Sequence, residues 1–468
     1  MNVSKDIYEA HRRLSRCSAD FIKFIEDNPE SLDRSNFQGI ISEKSYAYFR
    51  SQPWPTFISE SVKAEMSTAA VKVYDLITSI PGRLFGFDRD IMSRYYNISQ
   101  RDMEKRLYGL DEFHMSGLLG RGDFVLSPSG RLKCLEFNMS PSLGGWGMDF
   151  LEPLYLQTPV ISRFLKQYGV RLKKNNLFRV LLGRLVERAL ARFGGADAVK
   201  NEINIAIAFP KYVENIMGPL NRQLNDLYAA FLKQKNSDIR GDIYICDINH
   251  LQWENNSLVL GGKKIHSLIE MCYGEIPIFF MELVKNGELL IYNGPITLVM
   301  SNKLNLAVLS ECRDSGEFTR EEQDAIREYI PWTRKLTAGE TTYEGQKIRL
   351  EEFVLSRRER LVIKPARGFG GKGVYLGFDT PPEQWKQIVE IALVEKDRVV
   401  QEYVEMSSYL YQVGEQGCGV REAVWGFFVF ASLYAGGFVR MIPDAHKRGI
   451  INAGQGAEES IVLEVEER

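Results

Sequence analysis

The chain has 468 residues, 44% hydrophobic and 26% charged, enough for two or three packed lobes. A formal net charge of −2 excludes any general attraction to nucleic acid or anionic lipid, so a polyanion site must be local. Six cysteines without CxxC spacing and five scattered histidines argue against a structural zinc site, and a reduced cytoplasmic compartment is the default. Residues 1–115 read as mainly helical, with apolar residues at three-and-four spacing in "AHRRLSRCSADFIKFIEDN" and "AAVKVYDLITSI", separated by the turn "SQPWP". The opening "MNVSKDIYEAHRRLSRC" is polar and lacks a signal-peptide core, and no apolar run approaches the ~20 residues of a membrane span. The basic clusters "RLKK" and "SRRER" read as solvated helix faces.

Next comes "RGDFVLSPSGRLKCLEFNMSPSLGGWG", which predicts a hairpin: strand "DFVLS", turn "PSG", strand "LKCLEF". Residues i and i+2 of a strand face the same way, so Glu136 and Asn138 present oxygens to one point, and Asp123 across the turn can join them. Three hard oxygens suit Mg²⁺ on nucleotide phosphates, and Arg121 points into the same space. A polar strand end with an Asp–Arg surface pair fits these four residues equally well. The run "NLFRVLLGRLVERALARFG" predicts a helix that stops at Gly194 and Gly195. A short strand "NIAIAF", a long helix and a second strand "DIYICDI" then form a parallel βαβ unit. "GELLIYNGPITLVMSNKLNLAVLSE" leaves that unit through a strand and enters a helix near Lys303. "KLTAGETTYEGQK" reads as an exposed loop.

In "LVIKPARGFGGKGVYLGF", a buried strand ends at Lys364 and a glycine-rich loop follows. The loop holds Arg367, Gly368, Gly370, Gly371 and Lys372. Glycines let backbone N–H groups approach a phosphate and permit positive φ, although a glycine-rich surface hairpin has the same composition. GxxxxGK[ST] is absent and a strand follows, which excludes a Walker A loop; no helix N-terminus is offered as GxGxxG requires. Downstream, "VVQEYVE" ends a strand with Gln401, Glu402, Tyr403 and Val404. It suits an adenine hinge with an apolar wall, or an ordinary edge strand.

Together these motifs resemble the ATP-grasp enzymes, in the circularly permuted branch typified by the synthetase domain of glutathionylspermidine synthase. "GRGDF…LEFN" matches the family's arginine (Arg121) and its three metal ligands (Asp123, Glu136, Asn138). "NGPITLVMSNKLNLAVLSE" makes Lys303 the first nucleotide lysine, and "LVIKPARGFGGKGV" supplies the second, Lys364, with the loop. The acidic motif precedes Lys364 by more than two hundred residues, the inverted order of the permuted branch. The likeness runs from about residue 110 to 455. It departs after Asn138, where "NMSPSLGGWG" places Ser140 and Pro141 instead of the relatives' Asp and Thr-Pro-Thr, so a polyamine substrate is not carried over. No Cys–His amidase domain accompanies it.

The resemblance implies an α/β (α+β) chain with a circularly permuted ATP-grasp fold. A helical region at 1–115 would hold part of the acceptor site, and 116–198 the metal-binding half. A small open βαβ domain would span 199–300, and the nucleotide-binding half with its lid loop 301–468. It further implies ATP and two Mg²⁺ ions, with Lys303, Lys364, Arg367, Gly368, Gly370, Gly371 and Lys372 on the phosphates and Gln401, Glu402, Tyr403 and Val404 at adenine. Arg121 would act in catalysis, and Arg440 and Asn452 either touch ligand or serve structure. The expected activity is a carboxylate–amine ligase working through an acyl phosphate, on a small-molecule or peptide carboxylate and an amine. A kinase on the same fold and a non-catalytic nucleotide-binding protein are the alternatives. Neither nucleic acid nor membrane is expected as a partner, and a homodimer is the prior for an enzyme of this size.

Overall fold

The computed structural model describes residues 3–28, 37, 50–174, 177–235, 238–368, 370–414, 417–442, 450–452 and 456–466. "LGRGDFVL" (Leu119–Leu126) is buried at every position, and it lies between two other strands of an eight-stranded sheet. In order, the sheet runs Thr56–Ile58, Glu458–Val465, Leu433–Met441, Gly417–Phe430, Leu119–Leu126 and Leu132–Asn138. Ser408–Val413 pairs with the long strand Gly417–Phe430, and Leu172–Lys173 pairs with the last strand. All these pairs are antiparallel except Thr56–Ile58 with the last strand.

Both faces of the sheet are covered, which is why its strands read as nearly continuous apolar runs. Phe124, Trp425, Phe427, Val429 and Val439 share one core with Ala69, Ala70, Val73 and Tyr74 of the helix Glu60–Arg83. The two alanines keep the helix close to the sheet, and each large side chain buried there contributes roughly 1.5–3 kcal/mol. On the other face Leu119, Phe428, Phe430 and Phe438 pack with Leu151, Phe164 and Leu181 of three helices, Met148–Gln157, Pro159–Tyr168 and Leu177–Phe193. The helical reading of the first part holds over its described residues. Lys5–Leu14, Arg16–Asp27, Glu60–Arg83, Arg89–Tyr96, Gln100–Leu107 and Glu112–Met115 are helices, each with a Ser or Asp side chain accepting from its first turn.

The βαβ expectation also holds. Ile205–Phe209 and Ile243–Asp247 are parallel neighbours joined through the helix Glu214–Gln234. They belong to a four-stranded parallel sheet with Ser267–Glu270 and Leu290–Tyr292. A third sheet, Thr333–Lys335, Arg398–Glu402, Leu361–Pro365 and Tyr375–Leu376, is antiparallel and backed by the helices Leu350–Ser356 and Pro382–Glu395. "KLTAGETTYEGQK" departs from its reading as a loop. Glu340–Tyr343 and Gln346–Arg349 form a hairpin, turned by Glu344 and Gly345 at φ +48° and +78°. Two successive positive φ angles match the right-handed strand twist, so the Glu-Gly pair was a turn signal. Among the described residues no helix is long and apolar enough to cross a membrane.

Candidate functional site

The site starts at the hairpin Leu119–Leu126 and Leu132–Asn138, closed by Ser127–Arg131 with Gly130 at φ +83°. Asp123 is paired with Glu136 and Arg121 with Asn138, so all four side chains share one face of the sheet. The register then slips, because Phe124 pairs with Cys134 and leaves Leu135 as the extra residue of a bulge. A bulged residue has no ladder partner. The Leu135 carbonyl is accordingly available to Lys364, whose Nζ donates to it at 3.4 Å.

Lys303 lies at the start of the helix Leu304–Cys312, and its N–H donates to the carbonyl of Ala366 at 2.9 Å. Its Nζ sits 3.1 Å from Glu136 Oε2 and donates to the Gly368 carbonyl at 3.1 Å. One ammonium therefore joins the early acidic hairpin to the late glycine loop. Lys364 donates to Gln401 Oε1 at 2.6 Å, and Gln401 donates in turn to Thr333 Oγ1 at 3.0 Å. Burial pushes Lys364 down to about 8; Glu136 opposes that shift and Lys303 adds to it. Burial works to raise Glu136, yet Lys303, the Asn138 amide and Lys364 together hold its carboxyl well below the usual range.

These groups line an open cleft. Asp123, Glu136, Lys303, Lys364 and Lys372 supply its charges, and Gly368, Gly370 and Gly371 its loop. Leu135, Val374, Val424, Ile450 and Ile451 form an apolar side, with Asn452 beside them. Gly370 and Gly371 have φ of +77° and +70°, a conformation only glycine adopts without strain. Three ammonium groups against two carboxylates, beside a loop with free choice of φ, make a receptor for an anion with an apolar end.

Other expected site residues lie elsewhere. Arg121 stands behind Asp123 and does not line the cleft. Its Nε and Nη2 donate to the two Asp123 oxygens at 2.8 and 3.2 Å, and Nη1 to the Gly144 carbonyl at 3.0 Å. Asn138 donates to Glu136 Oε1 at 3.0 Å, also outside the cleft lining. Arg367 is exposed at the base of the loop. Of the hinge stretch, Gln401 lies under Lys364, while Glu402 Oε1 accepts from the Tyr343 hydroxyl at 3.2 Å. The N–H groups of Glu402 and Tyr403 donate to the Trp332 and Arg360 carbonyls, both at 2.8 Å, so they face their own sheet. Tyr403 packs edge-on to Phe378 at 4.9 Å, and Val404 joins the apolar cluster of Leu135 and Ile451.

Sequence reasoning missed most of the apolar side and one acid. Arg440 Nη2 lies 2.7 Å from Asp123 Oδ2, and its direct neighbour on the last strand is Glu459, 2% exposed. The signal was present in "AEESIVLEV", where two acids and a serine lead into the apolar run "IVL" of the strand. Phe438 sits between the guanidinium groups of Arg121 and Arg440, at 5.4 and 5.5 Å.

No group of three or more His, Cys, Asp or Glu is arranged to hold a metal among the described residues. The donor set on the hairpin is two carboxylates and one carboxamide, all hard oxygens, which is the chemistry Mg²⁺ takes. The carboxylates are not idle, because Arg121 and Arg440 hold Asp123 while Lys303 and Asn138 hold Glu136. The set fits the ion provided those contacts are exchanged when it binds.

No family model matches the chain, and no curated protein matches it. Among solved structures, it is similar to a glutathione synthetase-like effector from Globodera pallida in apo form. That likeness has a TM-score of 0.60 at 12% identity, over 93% of this chain and 97% of the other. It establishes a shared fold. A putative gamma-glutamylcysteine synthetase from Methylobacillus flagellatus KT aligns over 83% of this chain and 88% of its own, at 13% identity and a TM-score of 0.38.

Proposed function

We propose that this chain, on the fold it shares with the glutathione synthetase-like effector, is an ATP-dependent carboxylate–amine ligase of the circularly permuted ATP-grasp kind. The observation that carries the reading is Lys303, whose ammonium contacts both Glu136 of the early hairpin and Gly368 of the late loop. The permuted order is supported by the sheet, in which the hairpin at 119–138 pairs with the late strand Gly417–Phe430.

In this reading Lys303 and Lys364 hold the α- and β-phosphates of ATP, and the loop from Gly368 to Lys372 covers the triphosphate. Leu135, Val424 and Ile451 provide the apolar side for the nucleoside. Asp123, Glu136 and Asn138 would hold Mg²⁺, which supplies charge neutralisation on the phosphates. A carboxylate oxygen of the substrate attacks the γ-phosphorus, the bond to the β-phosphate oxygen breaks, and ADP departs. The amine lone pair then attacks the acyl carbon, phosphate leaves, and the amine proton passes to phosphate or solvent. The chain contributes position and charge rather than a nucleophile. Water must be kept from the acyl phosphate, a role for the loop.

The test is ADP release across pairs of carboxylates and amines, with hydroxylamine as a trap. A ligase releases ADP when both substrates are present and yields a hydroxamate with the trap. A stable phosphorylated product formed from an alcohol, without any amine, would make the chain a kinase instead.

A further inference from the structure

Arg440 and Glu459 are directly opposed on neighbouring antiparallel strands and share a face of the sheet. Such residues stand about 5 Å apart at Cβ. A buried arginine would be expected to take the carboxylate beside it, but Arg440 does not. It reaches across the long strand Gly417–Phe430 to Asp123, past Gly426, the residue that pairs with Asp123 and has no side chain to block the way. As a result Glu459 Oε2 and Arg440 Nε are both buried with no hydrogen-bond partner. A buried charged group tolerates such a state poorly. Here an acceptor and a donor that could satisfy each other lie side by side. The backbone of Glu459 is pinned, with its N–H on the Arg50 carbonyl and its carbonyl on the Gln52 N–H, both at 2.8 Å, so only the side chains are left to exchange.

We propose that Glu459 is a positioning residue that takes over Arg440 when Asp123 turns to a divalent cation. The inference rests on the ligase reading, which assigns Asp123 to Mg²⁺. Without Glu459, the arginine released by Asp123 would stand unpaired beside an added double positive charge. With it, Arg440 moves one strand over to its natural neighbour, and Asp123 Oδ2 gives up one of its two arginine partners to the ion while Arg121 stays. Phe438, against which both guanidinium groups pack, stays as their common support.

The experiment is calorimetric titration of wild type and Glu459→Gln with the non-hydrolysable analogue AMP-PNP, with and without Mg²⁺. Wild type is expected to gain at least tenfold in affinity from Mg²⁺. Glu459→Gln should lose most of that gain while keeping the Mg²⁺-free affinity and the thermal midpoint of the unliganded protein. A variant that keeps the full Mg²⁺ gain overturns the proposal, and so does one that loses equally with and without the ion. A second measurement needs no variant: the Arg440 Nε–H resonance in ¹⁵N-labelled protein. Its shift and slowed exchange on adding Mg²⁺ and AMP-PNP support the exchange of partners, and an unmoved signal overturns it. A wild type that binds no nucleotide sinks the ligase reading and this inference together; one that binds with Mg²⁺ beside an unaffected variant sinks this inference alone.

Discussion

Lys364 is placed where its own charge is disfavoured, with burial and Lys303 pushing it down to about 8 against the pull of Glu136. The sign follows from linkage. Between about pH 8 and the ordinary lysine value the unfolded chain binds the proton more tightly, so this residue's contribution to stability improves as pH rises through that window. A phosphate acts in the opposite sense, since it favours the charged form. Nucleotide affinity should therefore fall above pH 8 while the unliganded protein gains stability relative to Lys364→Met. Paired denaturation and binding series from pH 7 to pH 10 would check both slopes. A nucleotide affinity that stays flat through pH 10 would show that Lys364 does not face the phosphates. The lysine was legible in the sequence because a cation at the end of an apolar strand, before a glycine loop, has few other uses. Arg121 was legible with Asp123 as its partner in one of two readings, but as a surface pair; that the pair is buried was not legible, because the strands that cover it lie far along the chain.

At the level of elements, the long strand Gly417–Phe430 decides how the charges meet. Gly426 pairs with Asp123 on one side and Phe438 on the other. A Cβ there would lie 2.5 Å from the Phe438 ring and 3.0 Å from Arg121 Cδ. Gly426→Ala should therefore destabilise by about 1–3 kcal/mol through overpacking, and should disturb the arginine pair on Phe438. Urea denaturation gives the first effect, and loss of nucleotide binding beyond what stability explains gives the second. Full activity with unchanged stability would mean the sheet yields more easily than its packing implies. The "VWGFFVFASLYAGGFVR" stretch lies in two strands, Gly417–Phe430 and Leu433–Met441, and which residue must be small is a question of what crosses above it. The hinge stretch shows the same limit: "VVQEYVE" gives a strand end correctly, yet two of its N–H groups are taken by Trp332 and Arg360 of other segments.

For the whole molecule, the central sheet interleaves the two ends of the chain. Leu119–Leu126 is hydrogen-bonded to Gly417–Phe430, and Thr56–Ile58 to Glu458–Val465. Neither end can satisfy its strand edges or bury its apolar faces alone. Fragments 1–300 and 301–468 should each be insoluble when expressed separately and recover a soluble complex when expressed together. A soluble, cooperatively unfolding 301–468 fragment would contradict this. The sequence by itself determined the elements, because alternation, capping residues and glycine turns act over a few positions and leave a local mark. It also determined the chemistry on offer, through the order of acids, lysines and glycines along the chain. Only the tertiary structure decided which charges are neighbours, that Asp123 is shared by two arginines and that Glu459 Oε2 is left without a hydrogen bond beside one of them. The pairing of Arg440 with Asp123 spans hundreds of residues, and a charge carries no record in its own surroundings of the strand that will be folded against it.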